Sequence, residues 1–330
     1  MIRADQLDHR FVAEILAEPG GEHLLSCRSC GTCAATCLVH RYEPSFNPRL
    51  TLHRAGLGLR EQVLSSPEIW QCSACDACYP RCPKKIHISE LMRAIRNIAI
   101  REGYQPPGPF ATVAEDICAG CAVCSRACPY GAIDRVARGS DGEQRLVAHV
   151  DKNLCLHCGI CVAACPSAAM SLESLSDREL ISRLGQGGWL NGRSYLQGKS
   201  RTPRIAAFVC QWSIHSQTEW EHLRTLESEQ LRLVNLPCSG RVGPEMILLA
   251  LAQGADGVLV VGCREGECHY LRGTYLGRSK VALLERILEQ MGISGSRVRF
   301  AEVGALDYRA LPALIRRLSD EIIASARVSA

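Results

Sequence analysis

The sequence predicts a multidomain chain of three successive architectures: an α-helical domain over 1–105, an α+β domain over 106–172 and, after a linker at 173–203, an α/β parallel-sheet domain over 204–330. Three observations carry this. One cysteine rhythm recurs four times before residue 170. The residues around the first two copies repeat apolar positions at helical spacing, whereas those between the last two read as strands. Beyond residue 204 short apolar runs alternate with helical stretches.

At 330 residues and 47% hydrophobic, the chain is long enough to bury more than one core. Its 20 cysteines constrain it most, because disulfides, zinc or iron–sulfur clusters must account for them. Charged residues scattered from Met1 to Gly20 do not read as a secretory leader. The longest apolar segments, Met246 to Ala252 and Gly257 to Gly262, fall well short of the ~18 residues that span a bilayer. A soluble cytoplasmic protein with no membrane span is expected, and in a reducing cytosol a disulfide framework of this size is not.

The formal charge of +4 counts every cysteine as neutral. A cluster on four thiolates carries about two negative charges, so five such centres would bring the chain to roughly −6. No basic run exceeds Lys84-Lys85 or Arg316-Arg317, and no nucleic-acid partner is expected.

The rhythm is C-x2-C-x2-C-x3-C. It occurs at Cys27, Cys30, Cys33 and Cys37; at Cys72, Cys75, Cys78 and Cys82; at Cys118, Cys121, Cys124 and Cys128; and at Cys155, Cys158, Cys161 and Cys165. Three thiolates so spaced wrap three irons of a cubane, and the trailing fourth leads away to the other cluster of a pair. Proline follows the fourth cysteine at Pro83, Pro129 and Pro166, but Leu38 follows Cys37. Zinc knuckles use two C-x2-C pairs rather than triplets with a trailing cysteine. Four 4Fe-4S clusters are therefore expected.

From Ile117 to Met170 the chain is an internal repeat, Ile117-Cys-Ala-Gly-Cys-Ala-Val-Cys against Leu154-Cys-Leu-His-Cys-Gly-Ile-Cys, and this stretch resembles the bacterial two-cluster ferredoxin. Ile133 to Val136 and Arg145 to Val150 read as strands around a Gly139-Ser-Asp-Gly142 turn. The resemblance implies crossed ligation: Cys118, Cys121 and Cys124 with Cys165, and Cys155, Cys158 and Cys161 with Cys128. In the first domain, Leu50 to Leu64 and Ile88 to Ile100 (Leu91, Ile95, Ile98) read as helices ending before Gly103 and Pro106-Pro107. With Cys27-Arg-Ser-Cys-Gly-Thr-Cys33, Asn47-Pro48-Arg49, Ile69-Trp70-Gln-Cys72 and Arg81-Cys-Pro83, this domain resembles the C-type component of heterodisulfide reductase, a helical two-cluster ferredoxin. By that analogy Cys82 joins the first cluster and Cys37 the second.

In 173–203 a short helical patch, Asp177 to Leu184, gives way to a Gly/Ser/Arg-rich linker. Beyond it Ile205 to Val209, Leu231 to Leu236, Gly257 to Val261 and Val298 to Phe300 read as buried strands. Glu219 to Leu226, Pro244 to Gln253, Gly277 to Met291 and Tyr308 to Ser325 read as helices. Cys210, Cys238 and Cys263 follow the first three strands and Cys268 lies in the next loop, at the edge where open α/β sheets hold ligands. Spacing alone leaves a 2Fe-2S cluster, zinc and unligated core cysteines open. Pro237-Cys-Ser-Gly-Arg-Val242, Gly254-Ala-Asp-Gly-Val-Leu-Val260 and Gly262-Cys-Arg-Glu-Gly-Glu-Cys-His-Tyr270 resemble the delta subunit of methyl-viologen-reducing hydrogenase, which implies one 2Fe-2S cluster on these four cysteines. Ser213 stands where that family usually has a further cysteine. His269 is expected to pack beside the site rather than ligate it, and Arg241 and Arg264 face either the site's charge or solvent.

No G-x-G-x-x-G opens a helix after a strand and no Cys-Cys-Gly occurs, so no catalytic residue and no flavin or nicotinamide site is expected. The expected function is that of an iron–sulfur electron-transfer subunit, an oxidoreductase subunit without its own substrate site. The resemblances imply as partners a flavin-containing heterodisulfide-reductase-A-like subunit, a B-like catalytic subunit and a hydrogenase, formate dehydrogenase or similar donor. Two alternatives stand beside this: a subunit of another flavin-dependent reductase acting on aromatic acyl-CoA or sulfur compounds, and a zinc-stabilised docking platform at the C-terminus.

Overall fold

The computed structural model describes residues 7–139, 144–173, 175–185, 202–214, 216–304 and 307–328. The chain divides into two compact units, Met1–Gly108 and Pro109–Ala330.

The first unit holds helices α1 (His9–Ala17), α2 (Thr32–Thr36), α3 (Leu38–Tyr42), α4 (Pro48–Gly56), α5 (Arg60–Leu64) and α6 (Ile88–Arg101), and no strand among its described residues. Leu91, Ile95 and Ile98 place one face of α6 in the core, as their spacing requires. Asn47 caps α4, its Oδ1 accepting from Leu50 N at 3.1 Å ahead of Pro48 at the first turn. The stretch Leu50 to Leu64, expected as one helix, is broken between α4 and α5. Gly58 adopts φ +77° against the backbone of Asp8, where a side chain would collide.

The second unit begins with β1 (Ala111–Val113), α7 (Val123–Ala127), β2 (Ile133–Arg138), β3 (Arg145–Val150), α8 (Ile160–Ala164) and β4 (Met170–Leu172). β2 and β3 pair antiparallel from Ile133↔Val150 to Arg138↔Arg145. Most of the turn expected between them lies outside the described residues. β1 and β4 also pair antiparallel, Ala111 opposite Leu172, and so join the two ends of the cysteine repeat. Three-residue strands leave no alternation to read in the sequence.

There follow α9 (Asp177–Leu184), β5 (Ile205–Cys210), α10 (Gln217–Arg224), β6 (Leu231–Leu236), α11 (Pro244–Ala252), β7 (Gly257–Cys263), α12 (Gly273–Gln290), β8 (Val298–Val303) and α13 (Leu311–Val328). The four strands form a parallel sheet in the order β6-β5-β7-β8. Alternation along β5 serves two cores: Ala206 and Phe208 pack with α9, α11 and α12, while Ile205, Ala207 and Val209 pack with α10 and α13. Burial on both faces explains why β5 and β7 read as unbroken apolar runs. The helices change faces beside β5, so the C-terminal edges of β5 and β7 open on a topological switch point.

Two elements differ in part from expectation. α9 has the bounds expected of the helical patch, but it belongs to the sheet domain rather than to a linker. It is closed by a capping box between Ser176 and Glu179, and it buries Leu180, Ile181 and Leu184 in the sheet core. The Gly/Ser/Arg-rich part, 186–201, lies outside the described residues. α12 begins at Gly273 rather than Gly277, because both glycines mark close approach rather than a break: a Cβ on Gly277 would sit 3.0 Å from Ser239 O.

Candidate metal centres

The four repeats share a backbone conformation. The residues on either side of each second cysteine have positive φ: Ser29 and Gly31, Ala74 and Asp76, Gly120 and Ala122, His157 and Gly159. Five of the eight are not glycine, and left-handed non-glycine residues are uncommon. Alternating handedness turns successive N–H groups inward, the nest that receives anionic sulfur. Ser29 N donates to Cys27 Sγ at 3.4 Å. The first cysteines of the later repeats also accept from strands: Ala148 N to Cys118 Sγ at 3.4 Å, and Ala111 N to Cys155 Sγ.

Three of the fourth cysteines share a further feature, positive φ three residues on, at Lys85, Gly131 and Ala168. Cys37 differs. Without the following proline it caps α3, its Sγ accepting from His40 N at 3.4 Å.

The sulfurs group across the repeats. Cys27, Cys30, Cys33 and Cys82 line one cavity, with Arg49 at its wall. Cys118, Cys121, Cys124 and Cys165 line another. Cys37 feels Cys72 and Cys75, and Cys78 feels all three. Cys161 feels Cys158, Cys155 and Cys128 in the same way. Burial first, then these neighbours, push the thiol of Cys33 up to about 11 and those of Cys37 and Cys158 up to about 12. Buried thiols so crowded cannot all ionise without a cationic centre among them, which is what an iron cluster supplies. In the first and third repeats the sulfurs ring cavities.

At the sheet edge Cys210 and Cys263 end β5 and β7, and their sulfurs stand 3.8 Å apart. That is about the span of two thiolates sharing one metal at ~2.3 Å bonds. Cys238 lies two residues past β6, its Sγ accepting from Gly240 N at 3.4 Å. Cys268 Sγ accepts from Thr274 N at 3.4 Å, in the first turn of α12, where the helix dipole favours negative charge. Gly273 lies between them: an added Cβ would strike Cys238 Sγ and come within 3.5 Å of Cys268 Sγ. Hydrogen bonding from neighbouring thiols holds Cys268 and Cys210 low while Cys238 and Cys263 are held high.

The nearby residues take distinct positions. His269 is buried and stacks on Trp212 with ring centroids 3.7 Å apart. Ser213 donates through Oγ to Cys210 O at 2.7 Å. Arg264 is exposed and paired with Asp307, whereas Arg241 is buried. Gly273 and Thr274 were not legible as site residues; their one sequence signal was a glycine at what proves to be a helix start.

Nested thiolate loops in two paired sets, beside a four-cysteine crevice on a parallel sheet, define an iron–sulfur electron-transfer protein. Models of the 4Fe-4S dicluster domain match residues 23–86 and 117–169, and the model of the methyl-viologen-reducing hydrogenase delta subunit matches 205–324. The iron-sulfur D component of F420-non-reducing hydrogenase from Archaeoglobus profundus is 41% identical over 98 residues, 29% of this chain and 72% of that protein. Through its C-terminal domain the chain belongs to this hydrogenase delta-subunit family. The chain is also similar to larger proteins. The A component of ferredoxin:CoB-CoM heterodisulfide reductase from Methanosarcina mazei is 33% identical over 198 residues, 60% of this chain but 23% of that protein. The C component of H(2):CoB-CoM heterodisulfide,ferredoxin reductase from Methanothermobacter thermautotrophicus is 35% identical over 107 residues, 32% of this chain and 57% of that protein. No helix among the described residues is long and apolar enough to cross a membrane.

Proposed function

We propose that the chain is a five-centre electron relay in the cytoplasm, serving a heterodisulfide-reductase-like, flavin-based oxidoreductase. Four 4Fe-4S clusters are held by Cys27, Cys30, Cys33 and Cys82; by Cys72, Cys75, Cys78 and Cys37; by Cys118, Cys121, Cys124 and Cys165; and by Cys155, Cys158, Cys161 and Cys128. One 2Fe-2S cluster is held by Cys210, Cys238, Cys263 and Cys268.

The observation that carries the relay is the juxtaposition of the last two sets. Gly240, two residues past Cys238, packs against Ile160, and a Cβ added to it would lie 3.1 Å from Ile160 Cγ1. Tyr130, two residues past Cys128, packs edge-to-face on Tyr270 at 6.3 Å. Electrons entering the sheet domain from a hydrogenase, formate dehydrogenase or similar donor therefore have a neighbouring cluster to reach. The helical unit resembles the C-type component of heterodisulfide reductase and passes electrons toward a B-like catalytic subunit; an A-like flavin subunit lies between the two functions. Joining both modules in one chain raises their effective concentration at a common flavin subunit.

The test is anaerobic isolation of the native chain and identification of what accompanies it. A flavoprotein and a Cys-Cys-Gly protein together support the assignment. A chain found alone, reducing a substrate directly, contradicts it.

A further inference from the structure

The seam between the two adjacent centres contains a buried cation that ligation does not explain. Arg241 is 1% exposed and is the largest fully buried side chain among the described residues. It leaves the sheet domain three residues after Cys238 and runs against Gly159, between Cys158 and Cys161. Any Cβ at Gly159 would collide with Arg241 Cδ and lie 3.2 Å from its Nε. Its Nη2 donates to Leu175 O at 2.9 Å and ion-pairs with Asp177 Oδ1 at 2.5 Å. Nε and Nη1 have no hydrogen-bond partner among the described residues. A buried guanidinium with two open donors is costly unless something anionic lies within reach. Asp177 neutralises one side of the fork, and Nε, on the side without a partner, lies against Gly159 between two cysteines of the neighbouring set. Lys280 adds a second cation at this seam, donating from Nζ to Gly240 O at 3.1 Å.

We propose that Arg241 sets the reduction potentials of two centres at once, the cluster of Cys155, Cys158, Cys161 and Cys128 and the centre of Cys210, Cys238, Cys263 and Cys268. This rests on the cluster assignment above. Each centre gains one negative charge when it accepts an electron, and a fixed positive charge in a poorly screened interior favours that reduced form. One arginine facing both sites raises both potentials and brings them toward each other's working range. Asp177 moderates the effect, because it cancels part of the same charge. Arg241 is a positioning and tuning residue and ligates neither centre.

The test is a redox titration of the full chain, isolated anaerobically and reduced with dithionite, followed by paramagnetic resonance of each centre. In Arg241→Gln both midpoints fall, with the reduced-to-oxidised ratio at fixed potential dropping about tenfold, equivalent to ~59 mV for one electron. Arg241→Lys, which keeps the charge, stays near the wild-type values. Asp177→Asn moves both midpoints the opposite way, upward, and decides the matter if Arg241→Gln does not assemble. Intact centres with unchanged midpoints in Arg241→Gln, or in Asp177→Asn, overturn the proposal and leave Arg241 a purely structural pin. Missing signals in the wild-type chain would instead contradict the cluster assignment.

Discussion

Cys210 and Cys263 end adjacent parallel strands with their sulfurs 3.8 Å apart, and the third and fourth cysteines of that edge, Cys238 and Cys268, converge on Gly273. The sheet fixes the first pair through its register, and the start of α12 fixes the second. The site is therefore assembled by three segments, the ends of β5 and β6 and the connection from β7 to α12, none of which holds it alone.

Replacing Cys263 with alanine should abolish the signal of this centre while sparing the cubanes, lowering iron by about two per chain. Visible and paramagnetic spectra of the purified variant check this. Unchanged spectra would mean that Cys263 is only a buried core thiol.

Gly273→Ala should act nearly as strongly without removing a ligand, because its methyl group meets Cys238 Sγ. We expect loss of the C-terminal centre and a destabilisation of about 1–3 kcal/mol, the usual cost of overpacking. Iron analysis with thermal unfolding of the same sample reads both. Gly292→Ala, where no atom lies within 4 Å but φ is +76°, should cost about 1 kcal/mol and leave iron content intact.

In the helical unit Arg96 is buried and donates from Nε to Ile69 O and from Nη2 to Cys72 O, each at 2.6 Å. Arg96→Met leaves both carbonyls without a partner, one of them that of Cys72 itself. The expected loss is about 3 kcal/mol, with the Cys72 set affected and the Cys118 set untouched. Denaturant unfolding and Mössbauer spectroscopy would separate the two effects.

The raised thiols make cluster assembly pH-dependent. Iron binds thiolate, so each ligand held protonated must lose its proton on loading. Cys33, pushed up to about 11, and Cys37 and Cys158, pushed up to about 12, are protonated at neutral pH in the metal-free chain. Reconstitution should therefore release protons and become less favourable as pH falls from about 9 toward 6. The mark of burial is proton release that persists between about pH 9 and 11, where ordinary thiols are already ionised; its absence there would contradict the raised values.

Much of this was legible because spacing and chemistry coincide. The four cysteine runs stand out in the sequence, and three-residue steps leave one way to wrap a cube. The parallel strands were legible as well, since Phe208 and Val209 face opposite cores and both must be apolar. What escaped depends on contacts between distant segments. β1 and β4 are too short to show a period, and α9, legible as a helical patch over Asp177 to Leu184, gave no sign that it packs into the sheet core. Leu38 after Cys37 was visible, but its consequence, a cysteine serving as a helix cap, appears only in the folded backbone. Arg241 was legible as an arginine near a cysteine; only the packing shows that it runs past Gly159 into the territory of a second centre.

The most direct test of the five-centre relay is Mössbauer spectroscopy with iron and sulfide analysis of the anaerobically isolated full chain. The account predicts about 18 irons per chain, in four cubanes and one binuclear centre. About sixteen irons with one zinc would remove the fifth redox centre and leave the sheet domain a docking platform, contradicting the relay.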